Sequence, residues 1–236
     1  MQRRIRFFQI YEHNLTYYTL QRLQEGDLYV DIGANIGYYT LLASRRVGKS
    51  GKVICVEADP ISFEALTKNL ELNGCRNVSA YNVAATMTKC RVTIQRTDLR
   101  NSGCNSVAIG VGPNSVEGLP FADIVGGDLG RIRFIKIDIE GSETPILRAI
   151  LGLLSQLSQN LIIASEISTS SAEYVGHFVA AGFRAYAIQN IYRIDYYLIR
   201  SYLRKYGESN DVHTIPVQGY DPNYSDYVFE RVPTFD

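Results

Sequence analysis

Asp31-Ile32-Gly33-Ala34-Asn35-Ile36-Gly37 is the stretch on which the reading of this chain turns. An apolar run, Leu28-Tyr29-Val30, precedes it and reads as a short buried strand. Tyr38-Tyr39-Thr40-Leu41-Leu42-Ala43 follows, with a spacing that suits a helix packed on that strand. A glycine-rich turn between a parallel strand and a helix lets backbone approach a ligand closely, because no Cβ intervenes. Twenty residues past Gly37, at the end of Val53-Ile54-Cys55-Val56, stands Glu57. An acidic side chain there can accept both hydroxyls of a ribose. Loop and acid together describe a pocket for an adenosine-containing ligand.

The charges around the loop narrow the ligand. A dinucleotide fingerprint would read G-x-G-x-x-G, with helix-terminal amides meeting a pyrophosphate. This loop reads G-x-x-x-G with Asp31 just ahead of it, and a carboxylate there repels a pyrophosphate but pairs with an ammonium group. S-adenosylmethionine carries an amino-acid end, a sulfonium and a ribose, and no phosphate, so it is the favoured cofactor. NAD or FAD, and a plain tight turn, are the alternatives. Gly48-Lys49-Ser50 imitates the end of a phosphate-binding loop, but position 43 is Ala where that motif needs glycine, and the segment leads into a strand.

Composition bounds the rest. A length of 236 residues fits one α/β domain with a substantial core. The 24 basic and 24 acidic side chains balance, which argues against electrostatic capture of nucleic acid. Cys55, Cys75, Cys90 and Cys104 form no C-x-x-C pair and have no histidine at zinc spacing. A reduced, cytoplasmic protein is expected. No run approaches eighteen apolar residues, so no membrane partner is expected either.

Strands and helices alternate along the chain. Residues 14–24 read as a helix, 28–32 as a strand, 38–47 as a helix and 52–57 as a strand. Pro60 opens a helix that stops at Asn73-Gly74, and 77–83 reads as a third strand. Residues 91–95 and 106–109 look like short added strands. The rhythm resumes with a strand at 134–139, a helix that Ser142 can cap, a strand at 161–166 and a helix at 171–182. Residues 183–188 and 227–232 make a final pair. Such alternation with apolar strands predicts a mostly parallel sheet covered by helices on both faces. Ligands then sit beyond the carboxyl ends of the strands, where Asp31, Glu57, Asp138, Glu140 and Glu166 all fall.

At Phe134-Ile135-Lys136-Ile137-Asp138-Ile139-Glu140-Gly141-Ser142-Glu143 the chain resembles the FkbM family of S-adenosylmethionine-dependent methyltransferases, whose signature runs lysine, aspartate, glutamate, glycine, glutamate. The segment from Asp31 to Thr40 is similar to that family's cofactor loop, and Val53 to Pro60 with Asn69 to Gly74 to its second block. Ala84-Ala85 matches the segment that lines the adenine. The resemblance covers about residues 12 to 232. It implies a class I methyltransferase fold, a Rossmann-like seven-stranded sheet with an antiparallel last strand, and O-methylation of a hydroxyl on a sugar or natural-product acceptor. It also implies a cofactor set of Asp31, Gly33, Asn35, Gly37, Thr40, Glu57 and Ala84. Phe121-Ala122-Asp123 departs from the family's Thr-Leu-Asp, and the segment 189–224 exceeds a plain hairpin. Both bear on the acceptor.

Methyl transfer from a sulfonium is an in-line displacement that needs alignment and exclusion of water. A hydroxyl acceptor also profits from a base. Asp138 and Glu140 lie two apart at a strand end and point the same way if the chain stays extended, with Lys136 deeper on that face. Asp138 or Glu140 is expected to touch the acceptor, with Glu166 next. The competing explanation makes Glu140 a helix cap and Lys136–Asp138 a structural pair. A divalent ion on these carboxylates is an alternative without dedicated spacing, and no resident metal is expected. His13 and His177 offer no clear role. The tyrosine-rich segment 189–224 should form a wall or lid over the acceptor, with His213 as another candidate base, unless its tyrosines serve packing. The rival functions are a nicotinamide-dependent oxidoreductase and a domain that binds the cofactor without catalysis.

Overall fold

The computed structural model describes residues 11–95, 106–110, 112, 115–139, 141–189 and 214–232. Its centre is β1 (Leu28–Ile32), buried along its whole length. A strand buried on both faces needs covering layers on both sides, and the neighbours supply them. Parallel β2 (Lys52–Val56) pairs with one edge of β1 and parallel β8 (Ile132–Ile137) with the other. The full order is β11-β10-β12-β9-β8-β1-β2-β3, with β3 at Val78–Tyr81, β9 at Ile162–Glu166, β10 at Phe183–Ile188, β11 at Thr214–Val217 and β12 at Asp226–Arg231. β12 runs antiparallel to both β9 and β10.

The order reverses between β1 and β8. From β1 the chain builds outward through β2 and β3, and from β8 it builds the other way through β9. A crevice therefore opens at the carboxyl ends of β1 and β8, where open α/β sheets bind ligands. On one face lie α1 (His13–Arg22) and α2 (Tyr38–Val47), packed through Leu15, Tyr18, Tyr39 and Ala43 against Tyr29, Phe134, Ala164 and Val228. α3 (Pro60–Leu72) packs through Leu66 and Leu70 against Ala34 and Cys55. Asp59 caps it, accepting from the Ile61 amide, and Pro60 sits where no amide hydrogen is needed. The other face carries α4 (Phe121–Val125), α5 (Glu143–Gly152) and α6 (Glu173–Ala180), whose Phe121, Ile146, Leu147, Ile150 and Phe178 meet Val30, Ile32, Ile135, Ile163 and Phe229.

The class I architecture stands, with three corrections. The main sheet has eight described strands, not seven, because β11 adds a hairpin partner to β10 within the long 189–224 segment. The expected third strand at 77–83 is two strands: β3 stays in the main sheet, and β4 (Val83–Thr86) leaves it after Asn82. β4 pairs in parallel with β7 (Ser115–Pro120), β7 pairs antiparallel with β5 (Cys90–Gln95), and β5 pairs antiparallel with β6 (Ser106–Ile109). The two added strands thus belong to a separate four-stranded sheet. Finally, Ser142 precedes α5 without a side-chain cap; the Glu143 carboxylate instead accepts from the Gly141 amide at 2.8 Å.

Candidate active site

The loop after β1 is held from both sides. The Gly33 and Ala34 amides both donate to the Val56 carbonyl, and the Asp138 amide donates to the Ile32 carbonyl. Gly33 has φ +86°, and a Cβ built on it would lie 1.9 Å from the Asp138 carbonyl oxygen. That contact is backbone against backbone, so only glycine fits there. Asn35 takes φ +51° and Gly37 φ +91°. The Ile36 carbonyl accepts from the Asn69 side chain, which explains the asparagine in the second matched block.

Glu57 reaches back to this loop. Its Oε2 accepts from the Asn35 amide and its Oε1 from the Asp59 amide, both at 2.7 Å. Each oxygen keeps a further lone pair. Burial pushes the Glu57 carboxyl up to about 7 despite these two donors. Asn82, which the sequence reading passed over, donates from its side chain to the carbonyls of Glu57 and Ala58 and so anchors the segment that carries the acid.

Asp31 is placed differently from Glu57. It is 1% exposed, and its Oδ2 accepts from the Thr40 hydroxyl at 2.6 Å. Burial raises its carboxyl, while the Lys136 charge and the Thr40 hydroxyl favour the ionised form. Asp31 and Thr40 therefore form a buried brace between β1 and α2 beneath the loop. Ala84 is also buried, in the small sheet's cluster with Val92, Ile94 and Val116, and Ala58 packs on that cluster.

On the far side of the crevice Lys136 stands beside Asp31 in register. It is 4% exposed, and its ammonium meets Asp138 Oδ2 at 2.7 Å. Burial works against that charge, but the carboxylates of Asp138, Glu12 and Asp31 outweigh it and raise the ammonium above its ordinary value. The Asp138 side chain is 25% exposed, so it carries the pair's charge to the crevice surface. Glu166 ends β9 opposite Asp226 of β12. Strand alternation puts Glu166, Asp226, Lys136 and Asp31 on the face covered by α1 and α2. Glu140 and His213 lie outside the described residues, as does 190–213 of the expected lid. Of the lid tyrosines that are described, Tyr220 and Tyr224 pack on the core, and Tyr220 stacks on Tyr227. Among the described residues no group of three or more histidine, cysteine or acidic side chains is arranged to hold a metal ion, and no helix is long and apolar enough to cross a membrane.

The chain matches the methyltransferase FkbM domain over residues 31–209. It belongs to the FkbM methyltransferase family. As an FkbM protein it is an S-adenosylmethionine-dependent methyltransferase, and the nicotinamide alternative falls away. Among solved structures, an S-adenosylmethionine-dependent O-methyltransferase from Thermotoga maritima shares 15% identity at a TM-score of 0.52, over 95% of this chain and 66% of that one. A Streptococcus mutans protein assigned as a methyltransferase, solved with S-adenosylhomocysteine, shares 14% identity at a TM-score of 0.52, over 94% and 99% of the two chains. An FkbM methyltransferase from Methylobacillus flagellatus shares 17% identity at a TM-score of 0.49; it aligns with 89% of this chain, which spans 44% of its length. The first two likenesses establish the fold. No curated protein matches the chain.

Proposed function

We propose that this FkbM protein transfers a methyl group to a hydroxyl of a small sugar-like or polyketide acceptor, with Asp138 receiving the hydroxyl proton. The observation that carries this reading is the Lys136–Asp138 pair at the switch point, one partner buried and the other reaching the crevice. Bound S-adenosylmethionine would supply an activated methyl group on a sulfonium.

The chain's own residues suit that cofactor. Gly33 and Gly37 keep the loop backbone bare, and Glu57 offers one remaining acceptor site on each carboxylate oxygen to a pair of ribose hydroxyls. Asn35 orients Glu57 through its amide, Asp31 and Thr40 brace the loop from below, and Ala84 sits behind Ala58. On the acceptor side Lys136 holds Asp138 in place, and the close approach of Asp138 to Gly33 sets the base against the cofactor loop. Glu166 and Asp226 extend the same edge with further carboxylates. Such an edge accepts hydrogen bonds from a polyhydroxylated molecule and repels a phosphate backbone, which favours a small acceptor over nucleic acid.

Calorimetric titration with S-adenosylhomocysteine tests the cofactor half. Micromolar binding that Glu57→Ala removes is the expected result; equal binding by the variant would refute the assignment. For the acceptor half, a panel of glycosides and hydroxylated polyketides is assayed for a mass gain of one methyl group. Asp138→Asn should bind S-adenosylhomocysteine within about twofold of the parent yet lose at least about a hundredfold in turnover. Binding without turnover on every acceptor would favour a domain that holds the cofactor and does no chemistry.

A further inference from the structure

The pair at the crevice continues inward. The Tyr39 ring lies 4.5 Å from the Lys136 ammonium nitrogen, and the Tyr39 hydroxyl donates to Glu12 Oε2 at 2.8 Å. Glu12 immediately precedes α1 and is 7% exposed. Glu12 stands at the helix N-cap position, and its side chain makes no capping hydrogen bond. Its backbone adopts φ +43°. Among the described residues only Glu12 and Asn35 take a positive φ without being glycine, and Asn35 belongs to the cofactor loop. Such backbone costs about 1–3 kcal/mol and persists where the surroundings hold it in place.

Among the described residues, the charged groups that act on Glu12 are mostly acidic. From β8 and the turn after it come Lys136 and Asp138, from β12 Asp226, from β1 Tyr29, from α2 Tyr38 and Tyr39, and next to it in sequence Tyr11. Among the described residues the fully buried Tyr29 hydroxyl finds no hydrogen-bond partner, and it feels the charges of Asp31, Glu12 and Asp138. Burial pushes Glu12 up to about 7, with Asp226 and Asp138 raising it further and Lys136 opposing them.

We infer that Glu12 is a positioning residue of the reaction site, and that its proton decides how firmly Lys136 is held against Asp138. While Glu12 is neutral, the ammonium belongs to Asp138 and Asp31. Once Glu12 ionises, it draws the ammonium across the Tyr39 ring, and the Asp138 carboxylate is freer to take a proton from the acceptor hydroxyl. This role rests on the reading of Asp138 as the base. It also explains why an acid sits beneath the fold in a strained turn where a neutral cap would serve the helix equally well.

The test needs neither cofactor nor acceptor. Protein labelled with 15N-lysine and 13C-glutamate is titrated between pH 5 and 9 on the order of half a unit per step, following the Lys136 Nζ and Glu12 carboxyl resonances. The two should move through one shared inflection near 7. Glu12→Gln should abolish the inflection at Lys136. Tyr39→Phe keeps the ring beneath the ammonium but removes a donor to ionised Glu12, so it should displace the inflection upward. A Lys136 signal that is flat across the range, or an inflection that survives Glu12→Gln, overturns the inference. Should Glu12→Gln fail to fold, an unmoved inflection in Tyr39→Phe overturns it instead. Failure of S-adenosylhomocysteine to bind, or full turnover by Asp138→Asn, would strike the proposed function and leave this titration readable.

Discussion

The two walls of the crevice are built from different materials. The wall proposed above to hold the cofactor is backbone: bare glycine turns, the Asn35 and Asp59 amides, and one carboxylate that those amides orient. The opposite wall, proposed above to face the acceptor, is charged side chains, with Lys136 and Asp138 from β8 and its following turn, Glu166 from β9 and Asp226 from β12. Backbone geometry is over-determined by sterics within a few residues, whereas a charge cluster depends on the balance among elements far apart in sequence. The first wall should break by substitution of atoms, the second by substitution of charge.

The sharpest blow to the comparison is Gly33→Ala, since Gly33 is where the walls touch. Its Cβ would meet backbone that cannot step aside, at a φ that L-residues avoid. A loss of about 3–5 kcal/mol is expected in denaturant unfolding, together with loss of S-adenosylhomocysteine binding. Lys136→Met comes next, because it leaves Asp31 and Asp138 without their cation. At neutral pH it should cost about 3–4 kcal/mol, and the deficit should shrink as acid protonates the orphaned carboxylates. A deficit independent of pH would mean that packing, not charge, is what Lys136 supplies.

Gly37→Ala should be milder than Gly33→Ala, at roughly 1–2 kcal/mol. There the new Cβ meets only the tip of Leu66, which can rotate, although φ +91° remains strained. Equal losses at the two glycines would erase the distinction between a backbone clash and a side-chain clash. The remaining effect concerns pH. Glu12 and Glu57 are both raised from 4.5 to about 7, so each contributes stability that is complete below pH 4.5 and lost as pH rises through 7. Differential scanning calorimetry should show the parent's Tm falling relative to Glu12→Gln across that window.

The same contrast explains what the sequence could disclose. Asp31 to Gly37, Glu57 and the helices after them are local matters: glycine positions, apolar runs and the Asp59-Pro60 cap announce themselves within twenty residues. The Lys136–Asp138 pair was legible because its members lie two apart at the end of β8. β4 and β7 were not, because Val83–Thr86 continues an apparent strand, and only a partner about thirty residues later decides that it leaves the sheet. Glu12 and Tyr39 were hidden for a related reason. α1 is polar in sequence, with His13, Asn14, Thr16 and Thr19 all buried, so periodicity gave no sign that its first turn faces inward. Asn82 looked like an ordinary turn residue, and its role appears only with the carbonyls it binds.

The place of β12 has a consequence for how this chain reaches its native state. It is the last described strand, yet it lies inside the sheet between β9 and β10. Until it inserts, two strand edges stand open, and such edges recruit neighbouring chains. Its Glu230 also accepts hydrogen bonds from Tyr18 and Arg22 of α1, more than 200 residues earlier. Contacts so distant in sequence make folding slow and leave partly folded chains prone to aggregate. The helix next to Glu12 is therefore clamped late, and chains cut short of β12 should populate inclusion bodies rather than a smaller working enzyme.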